Sequence, residues 1–167
     1  RLWPLTEGFP KPMVALDNRP ILEFVIASLR ASGVQRVLVI LRFNTGRIVE
    51  HFGDGHKFGI PIDYLLQEGE LGTAGGVRQA VDLLDDEDFL VVASDILFHA
   101  DLMEFEEYHR TQKSEATIAL SQVDDPSEFG SVVLGTHGRI SRFDEKPPPG
   151  IATTGVVNAG LYFLRRS

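Results

Sequence analysis

Cysteine is absent from this 167-residue chain, which excludes disulfide frameworks and zinc–thiolate sites and fits a reducing compartment. No apolar run approaches the roughly 18 residues of a membrane span, and no signal peptide is visible. Basic residues are outnumbered, since 16 Lys and Arg stand against 24 Asp and Glu, for a net charge of −8. That balance argues against binding nucleic acid through a broad basic surface. We therefore expect a cytoplasmic protein that binds neither nucleic acid nor a membrane.

The residues that are present describe an ordinary globular domain. Hydrophobic residues make up 43% of the chain and charged residues 24%, and the length is enough for one compact domain with a sizeable core. The chain begins with Arg1 rather than Met, so we expect it to be a piece of a longer protein.

Helix and strand patterns alternate through most of the chain and then give way to strands. Apolar spacing predicts helices, the first with Pro20 in its first turn, over residues 20–32, 45–52, 73–84 and 102–112. Continuous apolar runs predict buried, adjacent or near-adjacent strands over 37–41, 60–66 and 89–93. Further strands are predicted over 116–123, 131–134, 140–143 and 159–164. The predicted class is α/β, a Rossmann-like, mostly parallel sheet with helices on both faces and a small antiparallel portion near the C-terminus.

Two charged residues are candidates for phosphate chemistry. Lys11 lies between Pro10 and Pro12, which stiffen the segment and can aim the ammonium at a phosphate; the alternative is a solvated surface lysine. Asp95 follows the third buried strand, at the end where open α/β sheets bind ligands. Its carboxylate could hold Mg²⁺, or it could cap the following turn.

Three weaker patterns point to polar ligands. Leu71–Gly76 is a glycine-rich segment opening a helix, where a ligand can approach the backbone and anions are favoured, although such turns are common. Glu145 could accept hydrogen bonds from sugar hydroxyls and Lys146 could neutralise a phosphate, unless the two form an exposed charged turn. Asn158 could pair with ligand hydroxyls or only shape a turn. The five histidines show no metal-ligand spacing.

Taken in order, nine segments resemble the sugar-1-phosphate nucleotidyltransferase family, over essentially the whole chain. The matching segments are Arg1–Thr6, Pro10–Met13, Pro20–Glu23, Phe52–Gly55, Leu71–Gly75, Ser94–Asp95, Asp125–Gly130, Phe143–Pro147 and Asn158–Tyr162. Each segment alone is weak, but nine in the family's order are specific.

The resemblance implies a role for each candidate. Arg1 resembles the last residue of the loop that wraps the nucleotide phosphates, Lys11 the lysine at the α-phosphate, and Asp95 the Mg²⁺ ligand. On the nucleotide side the matching positions, of which the first two read the base, are Gln67, Gly72 and Thr73. On the sugar-phosphate side they are Gly130, Glu145, Lys146 and Asn158.

The implied activity transfers a nucleoside monophosphate from a nucleoside triphosphate to a sugar 1-phosphate, with Mg²⁺ as cofactor. GTP with mannose 1-phosphate fits the motifs best. Thymidylyl or uridylyl transfer to glucose 1-phosphate, and a non-catalytic relative that binds nucleotide sugars, are the alternatives. The family's first strand, the glycine-rich part of the loop that would precede Arg1 and the C-terminal part are not in this sequence, so we expect residues 1–167 to be an incomplete nucleotidyltransferase domain. The partners that the resemblance implies are the nucleoside triphosphate and the sugar 1-phosphate, and self-association into a homo-oligomer is compatible with it.

Overall fold

A computed structural model of the chain describes residues 9–42, 45–69, 72–148 and 154–166. The helices are α1 (Ile21–Ala31), α2 (Gly46–Phe52), α3 (Gly72–Ala80) and α4 (Leu102–Gln112). The strands are β1 (Ala15–Leu16), β2 (Arg19–Pro20), β3 (Val37–Leu41), β4 (Ile62–Leu66), β5 (Asp88–Val92), β6 (Ala116–Gln122), β7 (Gly130–Leu134), β8 (Ile140–Glu145) and β9 (Val156–Arg165). All predicted helices and strands are found, and the short β1–β2 hairpin is an addition.

Helix α1 shows how the sequence pattern becomes structure. Its buried residues recur at helical spacing and are Leu22, Val25, Ile26 and Leu29. Pro20 was predicted inside the first turn, but its ψ of 141° places it just before the helix. Its φ of −53° is already close to helical, so the proline leads the chain into α1 without forming part of it.

Besides the β1–β2 hairpin, the described strands form one parallel pair and one larger antiparallel sheet. β3 and β4 run parallel, with Val37 opposite Ile62 and Leu41 opposite Leu66. In the five-stranded sheet, β9 pairs antiparallel with β5, β6 and β7, and β8 pairs with β7.

The α/β class is confirmed, but the antiparallel portion is larger than predicted. Within the described residues, parallel pairing is confined to β3 and β4, because β5 pairs with β9 instead of lying in a parallel ladder. β9 is ten residues long and therefore has room for three partners. β5 was predicted to be fully buried, yet all five of its residues are partly exposed.

One hydrophobic core joins the parallel pair, the five-stranded sheet and the helices α1, α2 and α4. Its buried members come from these elements and from Met13 and Ile60 in the connections, and they include Ile26, Val39, Phe52, Ile62, Leu102 and Leu161. Leu90 and Val92 of β5 pack against the same core. Among the residues that the structure describes, no helix is both long and apolar enough to cross a membrane.

Candidate functional site

Lys11 is the first residue of a short 3₁₀ turn that is anchored to the core. The turn spans Lys11–Met13, and the Met13 amide donates to the Pro10 carbonyl at 2.9 Å. Met13 is buried in the core and anchors the turn, whereas Lys11 is exposed. Its ammonium makes no hydrogen bond or ion pair with any described residue. The turn thus presents a positive charge that is available to a ligand.

A cleft of about 750 Å³ lies beside this turn, between Phe9, Met13, α1 and α2. On its wall Glu23 accepts hydrogen bonds from Arg19 Nε and from His51 Nε2, each at 2.7 Å. Burial disfavours the charge on Glu23, but these two donors outweigh it and hold the pKa of the carboxyl below its usual value. Sequence analysis did not single out Glu23 or His51, although Glu23 ends the Pro20–Glu23 motif.

The side chain of Gln67 links the end of β4 to the start of α3. The Gln67 amide extends the parallel ladder by donating to the Leu41 carbonyl at 2.7 Å, and its side-chain Nε2 donates to the Gly72 carbonyl at 3.3 Å. Gln67 is only 8% exposed. A Cβ on Gly76 would lie 2.8 Å from Gln67 Oε1, so the glycine makes room for this side chain. The structure therefore brings Gln67 and Gly72 together, with Thr73 exposed beside them.

Asp95 lies in the turn after β5, and its carboxylate is exposed. It accepts no hydrogen bond from any described residue, so the turn-capping alternative is not observed. Just before it, the Ala93 amide donates to the Gly160 carbonyl at 2.9 Å. Gly160 has a φ of +78°, and a Cβ there would crowd Ala93 and Ile96 at 3.2 and 3.3 Å. Because only glycine suits both conditions, β9 can approach the end of β5 closely.

Both polar atoms of the Asn158 side-chain amide make hydrogen bonds within the protein. Its Oδ1 accepts from the Gly160 amide at 2.9 Å, and its Nδ2 donates to the Tyr162 hydroxyl at 2.6 Å. The β6–β9 register shifts at this point, between Ile118 and Leu120. Asn158 thus shapes the bulge in β9, and its remaining hydrogen-bonding capacity is what a ligand could use.

Gly130, Glu145 and Lys146 meet at the β7–β8 end. Gly130 pairs directly with Glu145, and the Lys146 amide donates to the Phe129 carbonyl at 3.0 Å. A Cβ on Gly130 would fall 2.6 Å from the Phe143 ring and 3.2 Å from Glu145 Oε2. Both charged side chains are more than half exposed, with 4.0 Å between Lys146 Nζ and Glu145 Oε1.

The antiparallel sheet connects these positions. Ser131 of β7 pairs with Val157 of β9, which places the residues next to them, Gly130 and Asn158, at one junction. Gly160 continues the connection to the end of β5 and Asp95. Lys11 lies on a separate 3₁₀ turn. Gln67, Gly72 and Thr73 lie at the end of β4 and the start of α3, and Arg1 lies outside the described residues.

No ready-made metal cage exists in the described residues. No three Asp, Glu or His side chains come together there in a way that could hold a metal ion. Asp95 alone offers a free carboxylate after β5. That donor set suits a cation such as Mg²⁺, which commonly uses one or two carboxylates and completes its shell with phosphate oxygens and water.

The sequence matches known proteins along its full length. The sequence profile of the nucleotidyl transferase family matches residues 1–167. A bifunctional protein GlmU from Methanococcus maripaludis (strain C5) is 36% identical over all of this chain and 38% of its own length. A mannose-1-phosphate guanylyltransferase from Mycobacterium tuberculosis is 33% identical over all of this chain and 46% of its own. The chain thus spans less than half of the length of these relatives.

The fold has a close match among solved structures. The crystal structure of HddC from Yersinia pseudotuberculosis complexed with GMP-PN superposes with a TM-score of 0.84 and is 27% identical. The match covers 99% of this chain and 71% of HddC. Together with the profile match over every residue, it shows that the chain belongs to the nucleotidyl transferase family, as its resemblance to the sugar-1-phosphate nucleotidyltransferases predicted.

Proposed function

We propose that the protein containing this chain transfers a nucleoside monophosphate from a nucleoside triphosphate to a sugar 1-phosphate and releases pyrophosphate. The observation that carries the proposal is the pair of free charges, Lys11 and Asp95. Both side chains are exposed, and neither has a hydrogen-bonding or ionic partner in the described part of the chain. Charged side chains with a purely structural role are paired with other residues, whereas phosphoryl transfer requires charged side chains that are free to contact the substrate.

The reaction requires no covalent intermediate on the protein. An oxygen of the sugar 1-phosphate attacks the α-phosphorus in line and forms a new P–O bond, while the bond from that phosphorus to the bridging β-oxygen breaks. The electron pair leaves with pyrophosphate. Lys11 would neutralise charge growing on the α-phosphate, and the residues at the β7–β9 junction would hold the sugar phosphate in line.

Asp95 would hold the Mg²⁺ ion. Bound there, Mg²⁺ would supply charge neutralisation on the phosphates. Arg1 would add a second cation to the triphosphate, and Gln67, Gly72 and Thr73 would form the nucleotide side of the site.

We propose GTP and mannose 1-phosphate as the substrates. Support comes from the similarity to a mannose-1-phosphate guanylyltransferase and from a structural match whose crystals contain GMP-PN. The lack of cysteine supports a cytoplasmic location.

The test is pyrophosphate release by the full-length protein from a panel of substrate pairs. The panel combines GTP, TTP, UTP and ATP with mannose 1-phosphate and glucose 1-phosphate, at a fixed Mg²⁺ concentration. We expect the greatest release from GTP with mannose 1-phosphate. Release only from TTP or UTP with glucose 1-phosphate would replace the substrates, and no release from any pair would overturn the enzymatic function in favour of a non-catalytic relative.

A further inference from the structure

The side-chain amide of Gln79 makes two hydrogen bonds with the backbone of Glu68. The Glu68 amide donates to Gln79 Oε1 at 3.2 Å, and Gln79 Nε2 donates back to the Glu68 carbonyl at 3.3 Å. Glu68 lies two residues beyond the end of β4, while Gln79 is the last residue but one of α3. One side-chain amide therefore makes the two hydrogen bonds that a neighbouring strand would otherwise supply.

A second side-chain contact joins the same two elements, β4 and α3. Gln67 holds the start of α3 through its hydrogen bond to the Gly72 carbonyl, and Gln79 holds the end of the β4 extension. Between these contacts, Gly69 and Gly72 have φ values of +73° and +67°. Glycines of this kind have many accessible backbone conformations, so Gly69 and Gly72 each lose considerable entropy when they are held in one.

We propose that Gln79 is a positioning residue for the nucleotide-binding residues Gln67, Gly72 and Thr73. It acts through the Glu68 backbone and does not itself touch the nucleotide. The inference rests on the proposed function, because it gives the two Gln79–Glu68 hydrogen bonds a role in selecting among nucleoside triphosphates. Without these two hydrogen bonds, Gln67 and Gly72 would adopt several backbone conformations, and the complementarity of the site to one base would be lost.

The decisive variant is Gln79→Met in the full-length protein. Methionine is close to glutamine in length and in helix propensity, but it offers neither hydrogen bond to Glu68. The matched control is Gln112→Met, the same change at an exposed residue that ends α4. Thermal unfolding of both variants checks that the fold is retained.

Two measurements are made on each protein. Steady-state kinetics gives kcat/KM for each nucleoside triphosphate and KM for the sugar 1-phosphate. Hydrogen exchange of the Glu68 backbone amide measures directly whether its hydrogen bond to Gln79 is present, and it does not depend on turnover. For Gln79→Met we expect faster exchange at Glu68 and a loss of about 10-fold in kcat/KM for the preferred triphosphate. We expect a smaller loss of kcat/KM for the other triphosphates, so the preference of the enzyme for one triphosphate decreases. The KM for the sugar 1-phosphate should stay within about twofold of the wild-type value.

The outcomes separate the inference from the function on which it rests. An active wild type whose Gln79→Met variant keeps its triphosphate selectivity overturns the positioning role, and so does unchanged exchange at Glu68. Equal losses for every triphosphate and for Gln112→Met would indicate a merely structural effect and would also overturn it. A wild-type protein that releases no pyrophosphate from any pair overturns the proposed function itself.

Discussion

Lys11 owes its readiness for chemistry to the residues on either side. Pro10 and Pro12 restrict the backbone, and Met13 fastens the turn to the core, so little entropy is lost when the ammonium is aimed. An interaction that strengthens as charge develops on the α-phosphate raises turnover more than it tightens binding. Lys11→Ala should therefore lower kcat by about 100- to 1,000-fold, with a smaller change in KM, in steady-state kinetics of the full-length protein.

The control for this variant is Lys113→Asn, which removes an exposed lysine from the end of α4. Lys113 has a φ of +51°, a conformation that asparagine tolerates. Its kinetics should match the wild type. Near wild-type kinetics in Lys11→Ala would return Lys11 to an ordinary surface lysine, and a raised KM at constant kcat would make it a ground-state contact only.

Single residues differ in how far their role could be predicted from the sequence. Both Asp95 and Asn158 were candidates with a structural alternative. For Asp95 that alternative, capping the following turn, is not observed among the described residues. For Asn158 it is observed, because its side-chain amide is hydrogen-bonded to Gly160 and Tyr162. The difference lies in tertiary partners, since Tyr162 reaches Asn158 only once β9 forms its bulge.

At the scale of elements, the turn from α2 into β4 depends on one glycine. Gly55 has a φ of +85°, is buried, and accepts a hydrogen bond from the Phe58 amide at 2.8 Å. A Cβ there would overlap the Ile60 carbonyl oxygen and lie 2.7 Å from the Ile62 side chain. Gly55→Ala should lower the free energy of unfolding by about 2–5 kcal/mol, from backbone strain plus overpacking, as measured by urea denaturation.

Gly46→Ala is the matched comparison, because nothing lies within 4 Å of the Cβ that it would add at the start of α2. Its stability should equal that of the wild type or exceed it by up to about 1 kcal/mol. If both variants unfold at the same urea concentration, Gly55 is not a steric requirement of this turn.

Local patterns predicted the elements better than their partners. The spacing of apolar residues located α1 and reproduced the bounds of α4, where Asp101 accepts from two amides of the first turn. The same patterns did not reveal that β5 pairs with β9, about 70 residues later, because an apolar run does not encode the direction of its neighbour. The β1–β2 hairpin was missed because its strands have only two residues each.

At the scale of the whole molecule, one carboxylate joins three elements away from the site. Asp88 of β5 is bonded to Arg165 of β9 at 3.0 Å and lies 3.5 Å from Nε2 of the fully buried His109 of α4. The hydrogen bonds from Arg165 hold the pKa of Asp88 below its usual value, although burial opposes them. The carboxylate thus stabilises the fold at neutral pH, and this contribution is lost as the pH falls through the lowered pKa.

Asp88→Asn should therefore be less stable than the wild type at pH 7, and the gap should narrow below about pH 4, where the unfolded carboxyl becomes protonated. Urea denaturation midpoints across this pH range measure the effect. Asp86→Asn, at an exposed loop residue two positions earlier, should follow the wild type throughout. A constant gap between Asp88→Asn and the wild type at all pH values would show that the linkage to Asp88 ionisation is wrong.

The measurement that tests the account most directly is the identity of the product. The full-length protein and its Asp95→Asn variant are each incubated with Mg²⁺, GTP and mannose 1-phosphate, and the mixture is analysed by mass spectrometry. We predict GDP-mannose and pyrophosphate in equal amounts from the wild type, and neither from a variant that remains folded by circular dichroism. A wild type that forms no nucleotide sugar from any triphosphate and sugar phosphate, or an Asp95→Asn variant as active as the wild type, would contradict the account.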